Sequence, residues 1–416
     1  MHMKDDRGYE ISGATSGSLV HFEQALRLFQ SWRADPLPAV GQAIEQSPSF
    51  VMAHVLRSYI YLCSRELANV QKARKAIGAL AGEPANERER EHLAIVEALV
   101  DARYELADAR LSGLLDRYPR DVLALQVAHA FDYLLGSTTQ LRDRVSRVVP
   151  FWSQDLPGYS AVAAMHAFGL AENGDFSEAM DWCMHTLERD PGNPRVHHAI
   201  AHVYEMTQQF ASGLDWLTDH VEEWAGGTAV ATHCWWHLAL FHLRGGQPGE
   251  ALGVYDEYIG SRPSATVAEL IDAASLLWRL NLDDHGVGGR WAGLADEWAP
   301  YVADGYCAFN DMHAMMALAG ASRWQAANAL IQFQILRAQQ DDTNAIMTRM
   351  VGLPACKGIL AFKRGRFAEA ADLLAGLPAI AHRLGGSDAQ QKIIALTHEA
   401  ARLHALAHRA TFRMVA

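Results

Sequence analysis

The 416-residue sequence lacks the features of disulfide-bonded, membrane and secreted proteins. Its five cysteines, Cys63, Cys183, Cys234, Cys307 and Cys356, are widely scattered and form no CxxC pair. That pattern is typical of buried thiols in a reducing compartment rather than of a disulfide framework. We find no apolar run long enough to span a bilayer and no signal peptide, so we expect a cytoplasmic protein.

Motifs for nucleotide binding and for nucleophilic catalysis are also missing. The sequence has no P-loop, dinucleotide glycine motif or nucleophile elbow, and the GVGG at 286–289 follows no strand, so it is predicted to be a loop. The net charge of -12 and the pI of about 5.9 argue against a nucleic-acid or anionic-membrane surface. The alternating pattern of β-strands is absent too, which argues against a sheet-based fold.

What the sequence does contain is an internal repeat. Turn signals separate apolar stripes at helical spacing, and the clearest unit, residues 164–194, turns at Asn173–Gly174 and ends near Pro191. Small or apolar residues mark the second helix of successive hairpins at intervals of 34 or 38 residues, where two antiparallel helices approach closely: Ala39, Ala73, Ala107, Leu141, Ala179, Gly213 and Ala251. Paired helices at this period share a continuous core when they stack.

Several stretches between about Val196 and Lys392 resemble the signature stretches of the tetratricopeptide repeat protein 38 family. They are ATHCWWHLALFHLRGG, IDAASLLWRL, GRWAGL, AFNDMHAMMA, MVGLPAC and RLGGSDAQ. The chain departs from the family at Cys234, where the animal members are expected to have asparagine, and at Lys392, where an acidic residue is expected. The resemblance implies an all-helical repeat fold and no settled activity.

The sequence thus predicts an all-α array of about ten antiparallel helix pairs, a tetratricopeptide-like solenoid. We expect one domain over residues 4–410, with regular repeats over about 20–260 and an irregular helical part over about 261–410, where helices close a pocket and cap the array. Residues 1–3 are left outside this fold. The predicted later helices are Arg290–Ala299, Asn310–Ala321, Arg323–Arg337, Gly352–Arg364, Phe367–Ala375 and Ala389–Arg409, the last capped by Ser387 or Asp388.

Polar side chains recur on one face of four consecutive elements in the later repeats, where the earlier repeats carry few. The first group, His198, His202 and Glu205, has i, i+4, i+7 spacing and therefore shares one helical face. The following groups are His233, Trp236 and His237; then Asp272, Ser275, Trp278 and Arg279; then Asn310, Asp311 and His313. We predict that these residues line one pocket.

Within this set, acid–base roles are predicted for His198, His202, Glu205, His237 and Asp311, and ligand contacts for the others. Two imidazoles one turn apart can bind one divalent metal ion, which makes His198, His202 and His237 candidate ligands. Without a longer motif such as HExxH, the same histidines also fit hydrogen bonding in a core.

Three further alternatives stay open at this stage. The tryptophans can stack on a ligand or pack between hairpins. Arg279 lies in an apolar helix and needs a carboxylate from another helix, Asp311 or Glu205 first, or an anionic ligand. Asn310 and Asp311 can instead cap the helix that begins there.

Two functions are compatible with this pattern. One is a pocket for a small polar or anionic molecule, with or without acid–base or hydrolytic catalysis. The other is an adaptor that holds a peptide in the concave groove of the repeats. The clustering of histidine, tryptophan, aspartate and arginine in the later repeats favours the pocket. We expect no nucleic-acid or membrane partner, while a homodimer and a bound divalent metal stay open.

Overall fold

The computed structural model describes residues 3–260 and 265–415, and helices dominate both ranges. Over the first half of the chain the α-helices are α1 Ser16–Ser31, α2 Leu37–Gln46, α3 Val51–Cys63, α4 Leu67–Gly78, α5 Glu87–Val100, α6 Tyr104–Arg117, α7 Val122–Leu134, α8 Thr138–Val148, α9 Tyr159–Glu172, α10 Phe176–Leu187 and α11 Pro194–Met206. A 3-10 turn, Val149–Phe151, follows α8.

The second half continues in the same way. Its α-helices are α12 Phe210–Asp219, α13 Val221–Trp224, α14 Ala231–Arg244, α15 Pro248–Val254, α16 Val267–Leu282, α17 Arg290–Trp298, α18 Ala308–Gly320, α19 Trp324–Arg337, α20 Thr343–Met347, α21 Leu353–Lys363, α22 Phe367–Leu374 and α23 Asp388–Val415. Short π-helical turns, Tyr255–Ile259 and Thr348–Gly352, and 3-10 turns, Ala299–Tyr301 and Pro378–Leu384, extend or join them.

These helices confirm the predicted fold class. In the described ranges they follow one another as ten helix–turn–helix pairs, with α13 and α23 as single helices and α20 continuous with α21 through a π-helical turn. The close-approach residues that the repeat predicts are buried, from Ala39 to Ala251. The fold is a tetratricopeptide-like, all-α repeat array.

The chain divides into two compact units. The first comprises Met1–Tyr133, Ser137–Thr207 and Asp215–Cys234, and the second comprises Leu134–Gly136, Gln208–Leu214 and Trp235–Ala416. A single domain over residues 4–410 stays a prediction.

Helix pairs in the first unit pack closely because small residues lie at the contacts. A Cβ on Gly169 of α9 would lie 2.3 Å from the backbone oxygen of Leu141 on α8. Leu141 belongs to a buried cluster with Phe168, Cys183 and Ile200. The glycine therefore allows α9 to approach α8 closely.

The chain start is the part of the fold that the sequence reasoning missed. Met3–Lys4 and Glu10–Ile11 form a short antiparallel ladder, although residues 1–3 were expected outside the fold; Met1 lies outside the described residues. Arg7, between the two strands, pairs with Glu23 of α1, and both are buried. Paired charges of this kind lie too far apart in sequence for a local pattern to show them.

Helix boundaries in the second unit agree with the predictions to within a few residues, except that α23 continues to Val415. Ser387 is the N-cap of α23. Its hydroxyl accepts a hydrogen bond from the backbone N–H of Gln390, and its own backbone N–H donates to Gln390 Oε1. The capping role proposed for Asn310 and Asp311 is wrong, since α18 begins at Ala308 after Cys307 and both residues lie inside the helix.

One helical stretch, Thr343–Lys363, is long and apolar enough to cross a membrane as judged by length and composition. The sequence reasoning missed it, because the structure joins α20, a π-helical turn and α21 into one continuous helix. Within the protein, 61% of the most apolar window of this helix is buried. The core helix of a protein outside a membrane has the same features.

Candidate functional site

The site in the first unit is built on α11. Asn193 caps this helix by accepting from the Arg195 amide nitrogen, and Pro194 fills the first turn, where no backbone donor is needed. Arg195, His198 and His202 then follow at i, i+3 and i+7, so they share one face of the helix. All three side chains are buried.

Three imidazoles converge at this face. The Nε2 atoms of His198 and His202 are 2.9 Å apart, and the His198 ring centroid lies 5.0 Å from that of His233 on α14. One ring nitrogen from each of the three residues lies within 4.8 Å of the other two. This separation places the three nitrogens around one small space.

Glu172, the last residue of α9, fixes the orientation of His202. Its Oε1 lies 2.8 Å from His202 Nδ1, and both side chains are only 1% exposed. Because a carboxylate accepts, Nδ1 of His202 donates, which leaves the lone pair of a neutral His202 ring on Nε2. One proton is then shared between Nε2 of His202 and Nε2 of His198, which lie 2.9 Å apart.

Aromatic side chains form the wall around these histidines. Phe168 stacks on His198 with ring centroids 5.4 Å apart and meets His202 edge-on at 5.0 Å. Trp32 contacts His198 edge-on at 6.0 Å. The rings are thus held in a mostly apolar surrounding, which strengthens electrostatic interactions inside it.

Arg195 is a buried cation without a carboxylate partner among the described residues. Its Nη1 donates to the backbone oxygen of Gln30 at 3.0 Å and to Gln126 Oε1 at 2.8 Å, and its guanidinium lies 4.0 Å from the centre of the Trp32 ring. Its Nε and Nη2 groups donate to no atom in residues 3–260 or 265–415. Burial lowers the pKa of Arg195 to about 9, so the group stays charged at neutral pH.

Other buried donors near Arg195 also lack partners. Gln30 Nε2 and His129 Nδ1 form no hydrogen bond within the described part of the chain. Burial, and then the charge of Arg195, hold the pKa of His129 well below its usual value. The pKa of His198 is likewise held well below its usual value, first by burial and then by His202, His233 and Arg195. The His198 ring is therefore neutral at neutral pH.

Of the predicted residues in this unit, His198, His202 and His233 come together as the sequence suggested. Glu205 is buried as well, but His202 pairs with Glu172 of the preceding helix pair. The Oε2 atom of Glu205 has no hydrogen-bond partner in the described ranges. A catalytic role for Glu205 stays a prediction.

The remaining predicted residues belong to the second unit. All are buried: Trp236 and His237 on α14, Asp272, Ser275, Trp278 and Arg279 on α16, and Asn310, Asp311 and His313 on α18. His237 follows His233 by four residues on the same helix, and its role as a metal ligand stays a prediction. The convergence of all the predicted residues in one pocket likewise stays a prediction.

The contacts of the α16 residues favour packing for one tryptophan. Trp278 donates its indole proton to Thr397 Oγ1 at 2.9 Å and meets Trp291 edge-on at 6.3 Å. Arg279 donates to Ser275 and to the backbone oxygen of Ala389, and its guanidinium lies 5.3 Å from the centre of the Trp236 ring.

Asp311, one of the partners considered for Arg279, instead contacts Gln334 of α19. Asp311 accepts from Gln334 Nε2 at 3.3 Å, and burial raises its pKa to about 7. Nδ1 of His313 lies 2.8 Å from the Phe309 backbone oxygen, a contact within its own helix turn. Asp311 is therefore a buried carboxyl that titrates near neutral pH.

Sequence reasoning missed Glu172 and Arg195. Arg195 stands directly before the VHH stretch, and a charged residue facing an apolar helix face was the criterion that singled out Arg279. Glu172 lies 30 residues before His202, close to one repeat period. Pairing residues one period apart would have found it.

The comparisons with known proteins identify no family for this chain. No protein-family model matches the chain. Among solved structures, the chain is similar to yeast Tom70, at 11% identity and a TM-score of 0.42 over 88% of this chain and 85% of that chain. It is also similar to a monomeric mutant of IFIT1 with Gppp-AAAA, at 15% identity and a TM-score of 0.33 over 94% of this chain and 73% of that chain.

Proposed function

We propose that this helical-repeat protein binds a small anionic molecule in its first unit, at Arg195 and the neighbouring histidines. The observation that carries the proposal is the buried guanidinium of Arg195, which has no carboxylate partner among the described residues. Keeping a guanidinium charged in a buried position costs several kcal/mol, and a bound anion would add an ionic contact that the neutral partners of Arg195 do not supply. Guanidinium groups bind carboxylates and phosphates with two parallel hydrogen bonds.

Neighbouring groups supply the same kind of contact. Gln30 Nε2 is a buried donor without a partner in the described ranges, and Trp32 packs on the guanidinium face. A buried cation with such a donor beside it favours an anion over a cation or an apolar ligand. Trp32 also touches His198, so the guanidinium and the histidines border one space.

Burial of the site favours a small molecule over a peptide. Arg195 is 3% exposed and His202 is 1% exposed. A peptide held along repeat helices needs open surface for its backbone. The adaptor function is therefore the second proposal, and it would use surfaces other than this one.

The histidines also have the features of an acid–base pair. His198 is neutral at neutral pH and shares a proton with His202, whose second nitrogen is held by Glu172. A histidine oriented by a carboxylate and in contact with a second imidazole can take part in general acid–base catalysis. Acid–base or hydrolytic catalysis at this pair is a proposal that turnover assays must test after a ligand is known.

The anion proposal is tested by thermal melts of metal-free protein with inorganic phosphate, acetate and citrate. A bound anion raises the melting temperature with concentration, following RT ln(1 + [L]/Kd). We expect Arg195→Gln to lose that shift. Arg74→Gln is the matched control, because it removes the same charge from an exposed position in the same unit and should keep the shift. An equal shift in Arg195→Gln and in the wild type would contradict the proposal.

We also propose membership of the tetratricopeptide repeat protein 38 family and a cytoplasmic location. Support for the first is the set of resembling stretches between Val196 and Lys392, and support for the second is the set of five free cysteines, four of them buried. Alignment of the chain with several members of the family would test whether its buried histidines are shared. Fractionation of cells that express the protein would test the location.

A further inference from the structure

Three histidines with converging nitrogens and a carboxylate behind one of them form the arrangement that proteins use to bind zinc. We infer that His198, His202 and His233 bind a divalent transition-metal ion, Zn²⁺ in the first place, with Glu172 orienting His202. The inference stands on the geometry of the three rings and does not depend on the anion proposed above.

The distances require only small movements. Zinc binds imidazole nitrogens at about 2.0–2.1 Å, so two ligands of a tetrahedral ion lie about 3.3 Å apart. The Nε2 atoms of His198 and His202 are 2.9 Å apart, and the full set of nitrogens lies within 4.8 Å. Closing or opening these gaps to the tetrahedral separation moves a ring nitrogen by at most about 1.5 Å, which side-chain torsions can provide.

Glu172 prepares His202 for this role. A metal-bound histidine usually donates its other ring proton to a carboxylate or a carbonyl, which fixes the tautomer and makes the ligand nitrogen more basic. The contact between His202 Nδ1 and Glu172 Oε1 at 2.8 Å has this form. It directs the lone pair of Nε2 toward His198 and His233.

Metal binding requires the proton between the His198 and His202 rings to move. The Nε2 atoms of His198 and His202 are 2.9 Å apart and share one proton. A metal ion bound by both Nε2 atoms displaces that proton, and each neutral ring then carries its proton on Nδ1.

The ligand type selects the class of metal. Imidazole nitrogens suit Zn²⁺, Co²⁺, Ni²⁺ and Cu²⁺, while Mg²⁺ and Ca²⁺ prefer oxygen ligands. The three histidines supply only nitrogen. Mg²⁺ therefore serves as the negative control for the wild-type protein.

The test uses full-length protein made without a histidine tag. The protein is stripped of metal with a chelator and then titrated with Co²⁺ in a buffer free of anions that bind metals. We expect one tight Co²⁺ per chain, with the visible absorption of a nitrogen-ligated ion, displaced by Zn²⁺ and unaffected by Mg²⁺. His202→Gln should weaken binding at least about 100-fold, and Glu172→Gln about 10- to 100-fold at unchanged stoichiometry. His166→Gln is the matched control, since His166 is a buried histidine of the same unit that pairs with Ser146, and it should bind as the wild type does.

X-ray absorption of the wild type with bound Zn²⁺ gives a readout that needs no variant to fold. Three imidazole nitrogens at about 2.0–2.1 Å would support the site. Fewer than about 0.1 equivalents of tightly bound metal, oxygen-only ligation, or unchanged binding in His202→Gln would overturn it. Metal binding is measured without the anion panel and anion binding on metal-free protein, so either proposal can fail alone.

Discussion

Two buried arginines of the first unit allow a sharp comparison between a site residue and a structural one. Arg195 is 3% exposed and has no carboxylate partner among the described residues, whereas Arg144 is 1% exposed and forms two hydrogen bonds with Asp132, at 2.8 and 2.9 Å. We predict that Arg195→Gln leaves the free energy of unfolding nearly unchanged, while Arg144→Gln lowers it strongly.

The small effect at Arg195 follows from opposing terms. Burial lowers its pKa from 12.5 to about 9, which corresponds to a cost on the order of 5 kcal/mol for keeping the charged form buried. The contact with Trp32 returns about 2 kcal/mol, and the two hydrogen bonds return about 1.5 kcal/mol each, the lower end for a charged donor because both acceptors are neutral oxygens. Because these terms nearly cancel, replacing the guanidinium by a neutral amide should change stability by no more than about 1 kcal/mol.

For Arg144, the cost of removing the guanidinium is not offset in this way. Its removal leaves Asp132 buried without its main partner, and breaking a buried pair from one side costs about 3–5 kcal/mol. Ser112 and Asp108 lose their contacts with the same guanidinium. Uptake of a proton by Asp132 limits the cost at low pH, because burial already raises the pKa of Asp132 to about 6.

The assay is a thermal melt followed by circular dichroism at pH 7.5, in metal-free buffer without polyvalent anions. For a unit of 150–250 residues, 1 kcal/mol shifts the midpoint by about 2–4 °C. Arg144→Gln should therefore melt roughly 6–20 °C below the wild type, and Arg195→Gln within about 4 °C of it. If Arg195→Gln falls as far as Arg144→Gln, the protein itself compensates the guanidinium, and the reason for expecting an anion at Arg195 disappears.

Two further variants test the packing and the electrostatics of the fold. Gly169→Ala should lower the free energy of unfolding by about 1–3 kcal/mol, because its Cβ would lie 2.3 Å from the Leu141 backbone oxygen. Gly113→Ala, whose Cβ would have no atom within 4 Å, should raise the free energy of unfolding by about 0.5–1 kcal/mol. Urea unfolding measures both changes, and equal effects of the two variants would refute the close approach of α9 to α8. The raised pKa of Asp311, about 7, means that the folded state favours the neutral acid, so stability should fall by about 1.4 kcal/mol per pH unit from roughly pH 5 to pH 7 and level off above. Asp311→Asn should remove that slope in melts measured across this range, and an unchanged slope would assign it to other groups.

The fold could be predicted because its signals are local and repeated. A small residue recurs at a fixed distance along the chain, and the structure buries each one, for example Ala107 and Ala179. Caps such as Ser387 are also local, since the hydroxyl and its partner Gln390 are three residues apart. The N-terminal ladder could not be predicted in this way, because Arg7 depends on Glu23, a partner from another element.

The site was predicted only in part, and the reason is the distance between partners. His198 and His202 are one turn apart on α11, so helical spacing was enough to place them together. The acidic partner of His202 was sought at Glu205 on the same helix, but the structure supplies Glu172 from α9. Spacing along one helix shows which residues share a face and leaves open what a neighbouring helix brings to that face.

Arg279 and Arg195 show which buried charges can be found by looking for a charged residue in an apolar helix. Both guanidiniums are buried, donate to a backbone oxygen and lie over a tryptophan ring, Trp236 for Arg279 and Trp32 for Arg195. The sequence singled out Arg279 because it lies in the apolar stretch SLLWRL, whereas Arg195 directly follows Pro194 in the first turn of α11. Contacts with Gln30 and Gln126 bury that helix start, and both come from elements far away in the sequence. A buried charge is therefore best sought wherever a helix begins against the core, as well as along apolar helices.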